Sequence, residues 1–114
     1  MEYTIDGTQG RIIMCGDRAF RLVEDIRTDA IPDAQDDMAG IICLSAQAVP
    51  VDDPATDWQY EAHWSVVGRE EWDAISAPGG DIDNRAWFSG IIGVISTDTQ
   101  DDMISWDADG NVRA

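Results

Sequence analysis

Clustered acidic side chains are the residues of this sequence best placed to do chemistry. The chain has 114 residues, with 23 Asp and Glu, 7 Arg and no Lys, and its formal net charge is -16. Carboxylates pair strongly with Arg and Lys side chains. The candidate partner-binding residues form four clusters along the chain: Asp33, Asp36 and Asp37; Asp52, Asp53 and Asp57; Glu70, Glu71 and Asp73; and Asp98, Asp101 and Asp102.

The acidic residues are mostly aspartate, with 18 Asp against 5 Glu. The shorter Asp side chain holds its charge near the backbone and loses less conformational entropy when it is fixed. Most of the clusters fall in predicted loops, where recognition residues commonly lie. If several of these loops share one face, that face presents a dense array of oxygen acceptors, as a nucleic-acid backbone does.

Other chemistry has weaker support in the residues. His63 is the only histidine and lies on the polar face of a predicted strand, with no nucleophile signature nearby. Asp107, Asp109 and Asn111 have the spacing of the first ligands of a calcium loop, but the distal glutamate is missing and an Asp-Gly turn is favoured. Asp81 and Asp83 give a weaker metal signal. We therefore expect no enzyme activity, no metal and no cofactor.

The two cysteines, Cys15 and Cys43, each lie in an apolar run. Free cysteine in such a position behaves as a small hydrophobic residue. Two buried thiols are favoured over a disulfide, and metal or redox chemistry is least favoured because the sequence has one His and no CxxC motif. Two free thiols are typical of a protein in a reducing compartment.

The hydrophobic pattern predicts one α+β domain over residues 1–114, with a mostly antiparallel sheet of about five or six strands and one or two short helices. The clearest strand is 58–67, in which Trp58, Tyr60, Ala62, Trp64 and Val66 share one face. The other predicted strands are a hairpin of 2–6 and 11–15; 40–49, buried on both faces; 86–97, kinked at Gly90 or Gly93; and a terminal hairpin of 103–106 and 112–114.

Two segments have helical patterns. Residues 69–76 are predicted as a short helix with Trp72 and Ile75 facing the core. Residues 18–27 fit a helix through Leu22, Val23 and Ile26 with Asp17 as its N-cap, and also fit strand alternation. The helix is slightly favoured, and acidic loops are expected at 28–39, 50–57 and 96–102.

Composition excludes several classes of partner. A strongly negative chain is repelled by nucleic acid, since neutralisation of phosphates supplies most of that affinity. The Trp residues, notably Trp58, Trp64, Trp72 and Trp87, are therefore expected in the core. Residues 1–10 lack a signal-peptide pattern, no apolar run is long enough for a membrane span, and anionic lipid would repel the surface. A cytoplasmic location is expected.

The charge points to a basic protein as the partner. The leading hypothesis is a small inhibitor that occupies the nucleic-acid-binding surface of a CRISPR effector, another nuclease, a DNA-binding regulator or a basic toxin. The alternative is a salt-adapted domain whose acidity serves solubility. Residues 1–30 carry a net charge of about -2 and the remainder about -14, which mildly favours the first hypothesis. The oligomeric state stays open.

Overall fold

The computed structural model describes residues 3–29, 41–96 and 101–113, and for Asp101 it describes the backbone alone. These residues form eight strands and one helix, which exceeds the five or six strands expected. The class is mostly β within α+β. The elements are β1 (Tyr3–Ile5), β2 (Ile12–Cys15), β3 (Arg18–Leu22), β4 (Ile26–Thr28), β5 (Ile41–Pro50), β6 (Gln59–Val67), α1 (Gly68–Ser76), β7 (Phe88–Ser96) and β8 (Asp101–Asp107).

All strand pairs in the sheet are antiparallel. The main order is β1-β4-β5-β6-β7-β8. Strand β3 also pairs with β5, next to β4, and β2 pairs with β3. One long strand, β5, therefore receives both short strands from the N-terminal part of the chain.

The predicted N-terminal hairpin has the wrong pairing. Both strands form, but Tyr3 of β1 lies opposite Thr28 of β4. Ile12 of β2 lies opposite Arg21 of β3. The turn residues between β1 and β2 allowed a hairpin, and the partners were decided by strands farther along the chain.

The favoured helix over 18–27 is also wrong, because this segment forms β3 and β4. Phe20, Leu22 and Ile26 are buried, as strand alternation with an interruption requires. Strands β3 and β4 pair with β5, with Leu22 opposite Ala48 and Arg27 opposite Ser45. The distant partner strand satisfies hydrogen bonds that a helix would have satisfied locally.

Strand β5 is buried on one face only, contrary to the expectation of two. Ile42 and Leu44 are buried, whereas Ile41 is 68% exposed and Cys43 is exposed. The strand also extends through Pro50, which was assigned to a loop. In the described parts of the chain, α1 and residues 77–87 both pack on the face that carries Leu44 and Trp64, which leaves the side chains on the other face of β5 exposed or half-buried.

Most of the remaining elements agree with the sequence patterns, except at the start of β8. Strand β6 alternates as expected, and Trp72 and Ile75 of α1 are buried. The predicted irregularity in β7 is a register shift opposite His63 and Trp64, next to Gly90. Strand β8 begins at Asp101, so the backbones of Asp101 and Asp102 belong to a strand and not to a loop.

The sheet curls tightly around its core. Four strand spacings separate β3 from β8 in the sheet order, which would be about 19 Å in a flat sheet. The ring centroids of Phe20 and Trp106 on these strands are nevertheless 6.4 Å apart. The concave face is closed by Ile82 from residues 77–87, whose carbonyl accepts a 2.8 Å hydrogen bond from the Trp64 indole. In the described parts of the chain, no helix is long and apolar enough to cross a membrane.

Candidate functional site

Two acidic segments lie at the same end of the sheet. Asp52, Asp53 and Asp57 lie in the connection from β5 to β6 and are exposed. Asp102 is exposed near the start of β8, where Ile95 is its partner in β7. In antiparallel neighbours the end of one strand lies beside the start of the next, so these carboxylates share the same end.

Asp17 joins this group through the turn between β2 and β3. The Val51 amide donates a 3.0 Å hydrogen bond to the Ala19 carbonyl, which brings that turn against the β5–β6 connection. Asp17 and Asp52 line a common groove of about 480 Å³, together with Arg18, Ala19 and Val51. We define the acidic end as Asp17, Asp52, Asp53, Asp57 and Asp102.

Most of the acidic end carries uncompensated charge. Across residues 3–29, 41–96 and 101–113, no Arg lies within ion-pair distance of these four carboxylates: Asp17, Asp52, Asp53 and Asp57. Some acidic residues elsewhere are paired with Arg, including Asp73 with Arg69 at 3.0 Å and Asp109 with Arg85. Uncompensated carboxylates in one region attract cations over a longer range than paired ones.

The predicted cluster on α1 lies at the opposite end of β6. Since β6 has nine residues, this separation is about 30 Å. Two of its three acids have contacts within the fold: Glu71 accepts a 3.1 Å hydrogen bond from the Val67 amide, and Asp73 pairs with Arg69. Glu70 is exposed in the first helical turn, where it complements the helix dipole. The structure therefore separates this cluster from the acidic end.

The other predicted residues fall outside what the structure describes. Asp33, Asp36 and Asp37 lie in residues 30–40, and Asp98 lies in residues 97–100. For Asp101 only the backbone is described, opposite Ser96 at the same end as Asp102.

The outward face of the sheet carries a separate charged group. Arg27 pairs with Glu24 at 2.6 Å and with Glu61 at 3.5 Å. Glu61 also lies 3.2 Å from the His63 ring nitrogen Nε2. Ser45 is the register partner of His63, and no hydrogen bond between these two side chains occurs in the described structure. His63 is thus a surface histidine beside a carboxylate.

The motif at 107–111 forms a turn. The Asp107 carboxylate accepts hydrogen bonds from the amides of Asp109 and Asn111, at 2.9 and 3.0 Å. Asp109 pairs with Arg85, and the Gly110 amide donates to the Asp107 carbonyl. Among the described residues, no group of three His, Cys, Asp or Glu side chains is arranged to hold a metal ion.

Among the residues that the structure describes, Cys15 and Asp83 have side-chain pKa values above the ordinary ones. Burial raises the pKa of the Cys15 thiol, and the charge of Asp107 raises it further. Partial burial of its carboxyl also raises the pKa of Asp83, with a smaller contribution from Asp81, while Arg11 acts in the opposite direction. Neither group belongs to the acidic end.

Sequence reasoning missed Asp17, which it assigned as a helix N-cap. A strand interpretation of Phe20, Leu22 and Ile26 would have made residues 16–17 a turn, and that turn would have been a candidate. Comparison of the chain with protein-family models, curated proteins and solved structures gives no match. The functional proposal therefore depends on the geometry and charge of the chain itself.

Proposed function

We propose that the protein is an inhibitor that binds the basic nucleic-acid-binding surface of a partner protein and mimics nucleic acid there. The observation that carries the proposal is the acidic end, in which five exposed carboxylates from three parts of the chain lie at one end of the sheet, and Asp17 and Asp52 line a common groove. The candidate targets remain a CRISPR effector, another nuclease, a DNA-binding regulator or a basic toxin.

Electrostatics supports rapid and specific association at this end. Exposed carboxylates without ion pairs keep their full attraction for Arg and Lys on an approaching surface, and this attraction raises the association rate. Val51 is 41% exposed beside Asp52, and Met103 is 71% exposed beside Asp102. These apolar side chains supply short-range contacts that charge alone does not provide.

A charge-reversal experiment tests the proposal. The protein is immobilised at low salt, incubated with a lysate, and eluted with competing DNA or RNA. We expect one nucleic-acid-binding protein to be displaced, and D52K/D53K to retain at least tenfold less of it, since a few close charge pairs supply more than about 1.4 kcal/mol.

The matched control is D29K/E70K, which changes the net charge equally at the opposite end. Both variants are checked for folding by circular dichroism. Equal loss of binding by the two double variants would show that net charge and not the acidic end is recognised. Binding that competing nucleic acid leaves in place would contradict nucleic-acid mimicry.

A salt-adapted domain is the second candidate, and one observation favours it. Acids also lie away from the acidic end, including exposed Asp6, Asp29 and Glu70. A solubility role requires such a distribution and predicts loss of structure at low salt. In the same pull-down it predicts a diffuse set of basic proteins that elute together at modest salt.

A further inference from the structure

Arg18 is the one arginine that lines the groove between Asp17 and Asp52, and its guanidinium is directed at aromatic rings. Its central carbon lies 5.3 Å from the centroid of Phe20 and 5.7 Å from the centroids of Tyr60 and Trp106. These distances are within the range of about 6 Å for cation–π attraction. In the part of the chain that the structure describes, Arg18 has no carboxylate within ion-pair distance.

The three rings come from three different strands. Phe20 belongs to β3, Tyr60 to β6 and Trp106 to β8. The Tyr60 ring stacks on Trp106 at 5.8 Å and on Trp58 at 6.3 Å, and Trp58 ends the connection that carries Asp52. One guanidinium thus contacts a ring cluster that extends from the β2–β3 turn to the β5–β6 connection.

The β2–β3 turn is also held from its other side. The Cys15 thiol donates a 3.2 Å hydrogen bond to the Asp107 carbonyl, and Gly16 packs closely against the backbone of Asp109 and Gly110. The β8 turn therefore fixes one flank of the β2–β3 turn. The flank facing the groove has the hydrogen bond from the Val51 amide to the Ala19 carbonyl and the ring contacts of Arg18.

We propose that Arg18 is a positioning residue of the acidic end: through its cation–π contacts it holds the β2–β3 turn so that Asp17 faces Asp52 across the groove. The inference rests on the proposed function, because it treats this groove as part of the binding face. The positioning role and the role of a neutralising counter-charge predict opposite effects of Arg18 on the binding of a cationic partner. A counter-charge weakens binding of a cationic partner, whereas a positioning residue strengthens it.

Arg18→Met and Arg21→Met separate these two roles. Arg21 lies on the same strand and is exposed, and none of the described ring contacts involves it. Each variant removes one positive charge and keeps an unbranched side chain. The probe is a short oligo-arginine peptide at low salt, with binding followed by NMR shifts of the Asp17 and Asp52 amides.

We expect R21M to bind the peptide as tightly as the natural chain, or more tightly. R18M is expected to bind it about three- to tenfold more weakly despite the same charge change. The Val51 amide, which donates to Ala19, should exchange with solvent faster in R18M and not in R21M. R18M and R21M behaving alike in both measurements would overturn the proposal.

Two further outcomes keep this inference distinct from the proposed function. If the natural chain shows no peptide-induced shift at Asp17 or Asp52, the binding role fails, while faster Val51 exchange in R18M still supports the positioning role. If R18M does not fold, Arg18→Gln replaces it. That variant keeps a polar end group and loses the positive charge over the rings, so Val51 exchange equal to that of the natural chain would overturn the inference.

Discussion

At the scale of single residues, the two thiols differ in their exposure to solvent. Cys43 is exposed on the outward face of β5. Cys15 is 3% exposed and donates to the Asp107 carbonyl, and burial together with the Asp107 charge raises its thiol pKa. Thiolate is the reactive form of cysteine. Cys15 is therefore protected from thiol reagents because it is buried and because its raised pKa keeps it protonated.

We therefore expect a thiol reagent at neutral pH to modify Cys43 alone in the folded protein, and to modify both cysteines in denaturant. Mass spectrometry of digested protein locates the label. The variant Cys43→Ser should take up no label while folded. Rapid labelling of Cys15 in that variant would contradict the burial described for β2.

Asp83 gives a residue-scale prediction about pH. Partial burial of the carboxyl and the nearby Asp81 raise its pKa above the ordinary value of 3.8. A raised pKa in the folded state means that ionisation of Asp83 opposes folding, so stability is lost as the pH rises through and above that value. At neutral pH this cost is fully present.

Asp83→Asn should accordingly raise the Tm at neutral pH, and the gain should disappear as the pH falls below the ordinary Asp range. Thermal unfolding followed by circular dichroism across acid to neutral pH provides the measurement. Asp57→Asn removes the same charge from an exposed position in the β5–β6 connection. Equal gains in the two variants at neutral pH would attribute the effect to net charge alone.

At the scale of elements, β7 depends on one close backbone approach. Gly90 lies beside the register shift with φ at 136°, and an added Cβ would lie 2.0 Å from the Trp106 carbonyl of β8. Gly7 also has a positive φ, but an added Cβ there would have nothing within 4 Å. Of these two glycines, Gly90 alone combines a positive φ with a steric clash.

We expect Gly90→Ala to reduce the free energy of unfolding by about 3 kcal/mol, from strain and displacement of β8 together. Gly7→Ala should cost about 1 kcal/mol, because a side chain at this positive φ is strained but does not clash with any neighbour. Urea denaturation measures both. Similar costs for the two variants would mean that β8 moves away freely and does not constrain β7.

The elements that sequence patterns predicted well are those with strong local periodicity. Tyr60, Ala62 and Trp64 alternate over the whole of β6, and Trp72 and Ile75 define the buried side of α1. Residues 18–27 fit two periods, and pairing with β5, more than ten residues away in sequence, decided between them. Local pattern contains no information about that partner.

The candidate site was predictable to the same extent. The acids of the β5–β6 connection were found because Asp, Pro and Ala mark an exposed loop. Their grouping with Asp17, and their separation from Glu70 on α1, depend on strand order. Strand order in turn depends on long-range pairing, so composition located charged segments without showing which of them meet.

At the scale of the whole molecule, the net charge of -16 opposes folding, and the exposed carboxylates of Asp52 and Asp53, neighbours in the chain, contribute to this repulsion at the acidic end. Salt screens repulsion between exposed charges, and the screening length falls to about 8 Å at physiological ionic strength. The ion pairs elsewhere, such as that of Arg69 with Asp73, are exposed and contribute little to stability. Salt that screens these pairs therefore causes little loss of stability. Added salt should therefore raise the Tm.

The variant D52N/D53N tests where that repulsion acts. It should have a higher Tm than the natural chain at low salt, and added salt should raise its Tm by less. The control D29N/E70N has the same charge change at the opposite end, and added salt should raise its Tm nearly as much as that of the natural chain. A Tm that falls as salt is added would show that ion pairs and not repulsion dominate. Complete unfolding at low salt would favour the salt-adapted domain, because an inhibitor that relies on long-range attraction must be folded where that attraction is strongest.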